Sequence, residues 1–338
     1  MSKVTEEIKE QIEEELLKET EETQEAETEV PAESGLAIKP SAYLGLGVVL
    51  LAVILLVIYK MFGKKKEEQP VVNTKKNESM EGDEVSVSVK TSCDSVHEQG
   101  AREDQQDSFA VSDLGNRELV QKKGILLTVA DGMGGLNNGG RISSLAVTVC
   151  QNLFNTMPEY LPSAEMLLEM AAQVNREVNH FLAGKERGGS TLVAAIIREN
   201  MLHFLTIGDS RIYLYREGAL LQLNREHVYK EELALLAVNG RMPAGRIGLD
   251  PQAKSLTSYL GNGHIVHLDR NTEGIRLIDK DKIILASDGV FGTLIPEQLE
   301  TALKLSSEEA TAKIREMVEE AKKPYQDNYT AVVLEYRE

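Results

Sequence analysis

Five aspartates in this 338-residue chain stand where an apolar run begins or stops. Asp131 follows Ile-Leu-Leu-Thr-Val-Ala (125–130), Asp209 follows Phe-Leu-Thr-Ile-Gly (204–208), and Asp288 follows Lys-Ile-Ile-Leu-Ala-Ser (282–287). Asp327 precedes Asn-Tyr-Thr-Ala-Val-Val (328–333), and Asp107 lies just before Phe109. An aspartate at a strand end is ordinarily a turn residue, because its side chain bonds back to the local backbone. Five of them in one domain, three beside glycine, call for a joint explanation. Carboxylates gathered on one rim of a sheet repel one another unless a cation neutralises them. Oxygen ligands with no His or Cys among them select a hard ion, Mg²⁺ or Mn²⁺, over zinc. The stretch Ala-Asp-Gly-Met-Gly-Gly (130–135) carries more glycine than a turn needs. It reads as a carboxylate on a sharp exit from the sheet, followed by backbone free of Cβ.

The elements that would position these groups follow from hydrophobic patterning. Strands are expected at Val85–Val89, Phe109–Val111, Ile125–Ala130, Thr191–Arg198, Leu202–Ile207, Arg211–Arg216, Ile283–Ser287 and Thr330–Tyr336. Short polar turns at Glu199-Asn200 and Glu217-Gly218 imply antiparallel hairpins. Helices are expected in pairs, Ser143–Met157 with Ala164–Leu182, and Pro296–Leu305 with Glu308–Ala321. Strands in runs and helices in runs indicate an α+β domain whose helices cover antiparallel sheets.

Seven motifs then occur in a fixed order: Arg102-Glu-Asp-Gln-Gln-Asp-Ser108, ADGMGG, GGSTLVAA (188–195), GDSRIYL (208–214), LTSYLG (256–261), ASDGVFG (286–292) and DNYTAVV (327–333). Together they resemble the bacterial branch of the metal-dependent PP2C-type (PPM) serine/threonine phosphatases, over roughly Val89 to Val333. The resemblance implies a PP2C-like β-sandwich of two antiparallel sheets flanked by helix pairs, with a two-metal site at one edge. It implies two Mn²⁺ or Mg²⁺ ions, bridged by Asp131 and completed by the carbonyl of Gly132. Asp107 would bind on one side, Asp288 and Asp327 would hold the other ion, and Asp209 would serve a third. Arg102 would contact the substrate phosphate, and a metal-bridging hydroxide would hydrolyse phosphoserine or phosphothreonine directly. A surface ion pair of Arg102 with Glu98 or Glu103 is the competing reading.

Departures from the family pattern are informative. Met133 stands where some members carry a histidine proposed to protonate the leaving alkoxide, which methionine cannot do. Gln105 and Gln106 replace an asparagine and an acidic or amide residue. Asn224-Arg-Glu-His227 replaces Thr-x-Asp-His, and His227 is expected to order the following segment rather than bind metal. Residues 228–255 would form the flap beside the site.

Outside this domain the composition changes. Residues 1–34 contain 13 Glu and 3 Lys and no aromatic residue, so residues 1–39 are expected to be an acidic, disordered tail. Pro40–Tyr59 is a run of 20 uncharged residues, enough to cross a bilayer as a helix, and the span is placed at 40–62. It starts late and is followed by charge rather than a small-residue cleavage site, unlike a signal peptide. Lys60, Lys64, Lys65 and Lys66 crowd its C-terminal end. The positive-inside tendency then puts the catalytic domain, residues 85–338, in the cytoplasm and the tail outside. Residues 63–84 read as a flexible tether. A net charge of −17 argues against a nucleic-acid partner, and two widely spaced cysteines against a disulfide framework. The expected partners are phosphorylated proteins and a cognate Ser/Thr kinase. The alternatives are a phosphoprotein-binding pseudophosphatase or a membrane-tethered regulatory module.

Overall fold

A computed structural model of the chain describes residues 91–133, 138–183 and 188–338. The tail, the apolar span at 40–62, the tether, the Val85–Val89 strand, Gly134 and Gly135 lie outside these residues. Among the described residues, no helix is long and apolar enough to cross a membrane.

The strands are β1 (Ser92–Glu98), β2 (Asp107–Val111), β3 (Ile125–Met133), β4 (Gly189–Ser190), β5 (Leu192–Arg198) and β6 (Met201–Ile207). They continue as β7 (Arg211–Arg216), β8 (Ala219–Gln222), β9 (Asp269–Arg270), β10 (Ile275–Arg276), β11 (Lys282–Ala286) and β12 (Tyr329–Glu335). The helices are α1 (Arg117–Lys123), α2 (Asn138–Thr156), α3 (Ser163–Leu182), α4 (Tyr229–Val238), α5 (Asp288–Phe291), α6 (Pro296–Leu303) and α7 (Ser307–Glu320). One sheet runs β1-β12-β11-β7-β8; the other runs β10-β6-β5-β3-β2, with β4 beside β3 and β9 beside β6. The strand pairs are antiparallel, as the hairpin turns imply.

Alternate side chains of a strand point to opposite faces, and here both faces are covered. Leu127, Val129, Val193, Ala195, Ile212, Leu214, Leu285 and Val332 fill the space between the sheets. Their neighbours Leu126, Ala130, Ala194 and Ile196 pack against Ile142, Cys150, Phe154, Met170 and Val174 of α2 and α3. On the far side, Ile284, Ala286, Ala331 and Val333 meet Leu299 and Leu303 of α6 and Ile314 of α7. Four layers result, with the helix pairs outside the two sheets. This double burial explains why β3, β11 and β12 read as unbroken apolar runs rather than alternating ones.

The pairing registers bring the strand ends that carry the aspartates to one edge. Asp107, opening β2, pairs with Asp131 near the end of β3. Leu192, opening β5, pairs with Ile207, closing β6. Ala286, closing β11, pairs with both Arg211 at the start of β7 and Ala331 near the start of β12.

Candidate active site

Asp131 is where the structure departs from the expected sharp exit. Strand β3 runs on to Met133, because Gly132 and Met133 pair with Ser190 and Gly189 of β4. The backbone of Asp131 is held from three directions. Its N–H donates to Thr191 Oγ1 at 2.9 Å, and its carbonyl accepts from Thr191 N–H at 2.9 Å and from Ser190 Oγ at 3.0 Å. Thr191 Oγ1 also lies 2.8 Å from Ser210 Oγ, so the Gly-Gly-Ser-Thr and Gly-Asp-Ser-Arg segments are tied together beneath the carboxylate.

Gly132 is needed for close approach, since its φ is not positive. A Cβ there would overlap the carbonyl of Gly139 at the start of α2 and come within 2.7 Å of the Gln106 carbonyl. Gly132 N–H donates to that Gln106 carbonyl at 3.0 Å, so neither backbone can retreat without breaking a bond. Gly132→Ala is expected to cost about 3 kcal/mol, the upper range for overpacking. A denaturation midpoint unchanged from wild type would overturn this account of Gly132. Gly208 has the other reason for glycine: its φ is +101° and Thr191 crowds the Cβ position. His227 secures that turn, with Nδ1 accepting from Gly208 N–H at 3.0 Å and its own N–H donating to the Gly208 carbonyl. These bonds order the turn before Asp209, whereas the sequence led us to expect His227 to order the segment that follows it.

Asp107 has 3% exposure. Its Oδ2 accepts from Ser287 Oγ and Thr330 Oγ1, both at 2.7 Å, across from the other sheet. Its Oδ1 is buried with no hydrogen-bond partner. Because Asp107 and Asp131 are direct cross-strand neighbours, their Cβ atoms are about 4.5–5.5 Å apart, a spacing at which like charges destabilise the pair. The electrostatics agree. Burial, then the charges of Asp288 and Asp327, push the Asp107 carboxyl up to about 6 against the hydroxyl bonds that lower it. Burial, reinforced by Asp107, Asp288, Asp209 and Asp327, holds Asp131 well above the usual carboxylate range. Burial and Asp288 push Asp209 up to about 7. Asp288 is raised by burial and by Asp327, with Arg102 and Lys254 opposing. The five aspartates singled out from sequence therefore feel one another at one edge of the sandwich.

Arg102 makes neither of the surface pairs considered from sequence; its Nη2 donates to Asp327 Oδ2 at 2.6 Å, and Glu98 pairs with Arg315 instead. The loop carrying Arg102 is organised by a residue that sequence reasoning passed over. Asn328, buried, accepts from Gln106 N–H at 2.9 Å and donates to the carbonyls of Gln99 at 2.7 Å and Asp104 at 3.0 Å. Its place between Asp327 and β12 was the only signal. Asn328→Ala strands three backbone groups and is expected to cost about 3 kcal/mol. Loss of protease resistance around residues 99–106 is the local check; an unchanged cleavage pattern would contradict this bridging role. Gln105 Oε1 likewise accepts from Asp107 N–H at 3.0 Å.

Arg211 stacks its guanidinium 3.8 Å above Phe291 of α5 and pairs with Glu226, joining the Asp209 turn to the helix that begins with Asp288. The flap comprises α4 and a 3₁₀ turn at Ala244–Leu249. Its base is closed by Tyr229 N–H to the Ser255 carbonyl and Lys230 N–H to the Ala253 carbonyl. Leu235, Val238 and Leu249 are exposed on it.

Comparison with known proteins agrees with this geometry. The chain is 29% identical over 226 residues to the serine/threonine protein phosphatase PstP of Mycobacterium tuberculosis, covering 64% of this chain and 41% of that protein. It thus spans about two fifths of that relative's length. Among solved structures, it is similar to the PPM Ser-Thr phosphatase MsPP from Mycobacterium smegmatis in complex with cacodylate. That match has TM-score 0.59 and 27% identity, over 74% of this chain and 99% of that one. It is also similar to the catalytic domain of PstP in complex with two manganese ions, with TM-score 0.57 and 25% identity, over 73% of this chain and 99% of that one. The family model for protein phosphatase 2C matches residues 97–328, a stretch that contains every aspartate of the rim together with Arg102, and on that match the chain belongs to the protein phosphatase 2C family.

Proposed function

We propose that this chain is a metal-dependent protein phosphatase hydrolysing phosphoserine and phosphothreonine esters. One observation carries the proposal: the Asp107 carboxyl is buried with Oδ1 lacking a donor, amid the charges of neighbouring aspartates. A buried acceptor left unpaired costs roughly 1–3 kcal/mol, more when charged, and a cation at this edge would offset that cost. Among the described residues, no three His, Cys, Asp or Glu side chains close on one point. The groups on the rim are carboxylates, and oxygen donors of this kind suit a hard ion that completes its shell with water.

The donor set therefore fits two Mn²⁺ or Mg²⁺ ions. Asp131 would serve both, the Gly132 carbonyl would complete the shell of one, Asp107 would lie on one side, and Asp288 with Asp327 on the other. Asp209 would hold a third. The two manganese ions of the PstP structure support the count. When bound, such a pair supplies an acidified water and neutralises charge in an in-line displacement.

The chain's own residues supply the remaining steps. Arg102 would bind the phosphate, since its planar fork gives paired bonds to two oxygens. Its bond to Asp327 occupies one end of a group with five N–H donors, leaving others to meet the substrate. Met133 has no proton to give, so the leaving alkoxide would take its proton from water or from another group at the site. We also infer that residues 40–62 anchor the domain to a membrane with the phosphatase facing the cytoplasm. There it would oppose a Ser/Thr kinase.

Phosphate release from a phosphothreonine peptide by the purified full-length chain tests the activity. Turnover with Mn²⁺ that stops on chelation is expected; no turnover with Mn²⁺ or Mg²⁺ would favour a phosphoprotein-binding role. Protease added to intact cells tests the orientation, and a protected N-terminal tail would contradict it.

A further inference from the structure

Oδ2 of Asp107 accepts from two hydroxyls, but only one of those is itself gripped by a titratable ring. His97 and Thr330 are cross-strand partners in the β1–β12 ladder, and His97 Nδ1 lies 2.9 Å from Thr330 Oγ1. Thr330 Oγ1 in turn lies 2.7 Å from Asp107 Oδ2. A threonine hydroxyl has a single proton. An ionised Asp107 can only accept, so Thr330 spends that proton on Oδ2 and offers its lone pairs to His97. His97 must then be the donor, which requires the tautomer with the proton on Nδ1. The ring is held for this by tilted packing on Phe109, with centroids 5.3 Å apart. Ser287, the second donor to Oδ2, is fixed by Thr330 N–H donating to its Oγ at 2.9 Å.

We propose that His97 is a positioning residue for the cation site. It acts through Thr330, orienting that hydroxyl onto Asp107 Oδ2 so that the unpartnered Oδ1 is presented to an ion. This rests on the assignment of Asp107 as a ligand made above. Without His97, the Thr330 hydroxyl loses the partner that fixes its orientation, and its bond to Asp107 Oδ2 is held less firmly. Groups that orient a ligand from behind typically change metal affinity 10–100-fold. One step further back, His97→Ala is expected to weaken Mn²⁺ binding about tenfold.

The test is a double-mutant cycle on the full-length chain, reading Mn²⁺ affinity by titration calorimetry on wild type, His97→Ala, Thr330→Val and the double variant. If His97 acts through the Thr330 hydroxyl, His97→Ala weakens binding in the wild-type background and adds less than twofold in the Thr330→Val background. Equal effects in both backgrounds, or no effect in either, would overturn the proposal while leaving Asp107 as a ligand. A wild-type chain that binds no Mn²⁺ would overturn the ligand assignment itself. His97→Asn guards against a merely unfolded alanine variant. Its amide nitrogen replaces Nδ1 as donor, so affinity within about threefold of wild type is expected, and a loss as large as that of His97→Ala would count against the relay.

Discussion

Asp131→Asn is expected to lose phosphatase activity by roughly a thousandfold while raising the melting temperature of the metal-free protein. The first part follows from the role proposed for Asp131 between two ions. Metal activation supplies several kcal/mol of transition-state stabilisation, and each 1.36 kcal/mol is tenfold in rate. The second part follows from what the structure makes Asp131 endure. Asp131 is half-buried, and its carboxyl faces the charges of Asp107, Asp288, Asp209 and Asp327. An amide keeps the shape and removes the charge, and substitutions of this kind commonly return about 0.5–2 kcal/mol. For a domain of this size, that is an increase of a few degrees. Thermal scans in chelator and initial rates with Mn²⁺ measure the two halves separately. A variant that loses activity and stability together would mean that Asp131 supports the fold rather than the chemistry.

The same tension decides how much of the molecule was legible beforehand. Strands β3, β5, β11 and β12 stand out in the sequence because both faces of each are buried, leaving uninterrupted runs of β-branched and aliphatic residues. Strand β8 does not, because Ala219 and Gln222 are exposed and four residues with no buried face carry no period. Helix α4 was invisible for a related reason: its Leu235 and Val238 face solvent, so its apolar residues do not form one stripe. The aspartates could be picked out because glycine and strand ends flank them. Their convergence could not, because it depends on registers such as Asp107 with Asp131 and Ala286 with Ala331.

Two local features escaped sequence reasoning for the same cause. The two-residue strand β4 has no propensity signal of its own, so nothing announced that β3 would continue past Asp131 to Met133. Nor did sequence proximity identify the partner of Arg102. Glu103 is adjacent in the chain, but Asp327 is adjacent in space because Asn328 draws the 99–106 loop onto the start of β12. Long-range contacts of this kind are set by the assembled sheets, and residue types alone do not report them.

Raising the pH from 6.5 to 8 is expected to destabilise the metal-free protein and to enlarge the stabilisation given by Mn²⁺. A carboxyl whose folded pKa lies above its unfolded value keeps a proton that the unfolded chain has lost. Stability therefore falls as pH rises through the folded value. Asp209, pushed up to about 7, titrates across this interval; Asp107, at about 6, has largely done so at its lower end, and Asp131 is shifted in the same direction by burial and its aspartate neighbours. His97, His203 and His227 are lowered by burial, which gives the opposite slope, but only below their ordinary value of 6.5. Above it they are mostly neutral in both states and contribute little. A cation binds the deprotonated carboxylates, so protons compete with it less as pH rises. At a hundredfold excess over its dissociation constant, each bound ion adds about 2.7 kcal/mol. Two ions then raise the melting temperature by roughly 10–20 °C for a domain of this size. Melting curves in chelator and in Mn²⁺ should diverge toward pH 8, and Asp209→Asn should flatten the chelator curve. Parallel curves, or an unchanged slope in that variant, would mean that the rim carboxylates are not the groups that set it.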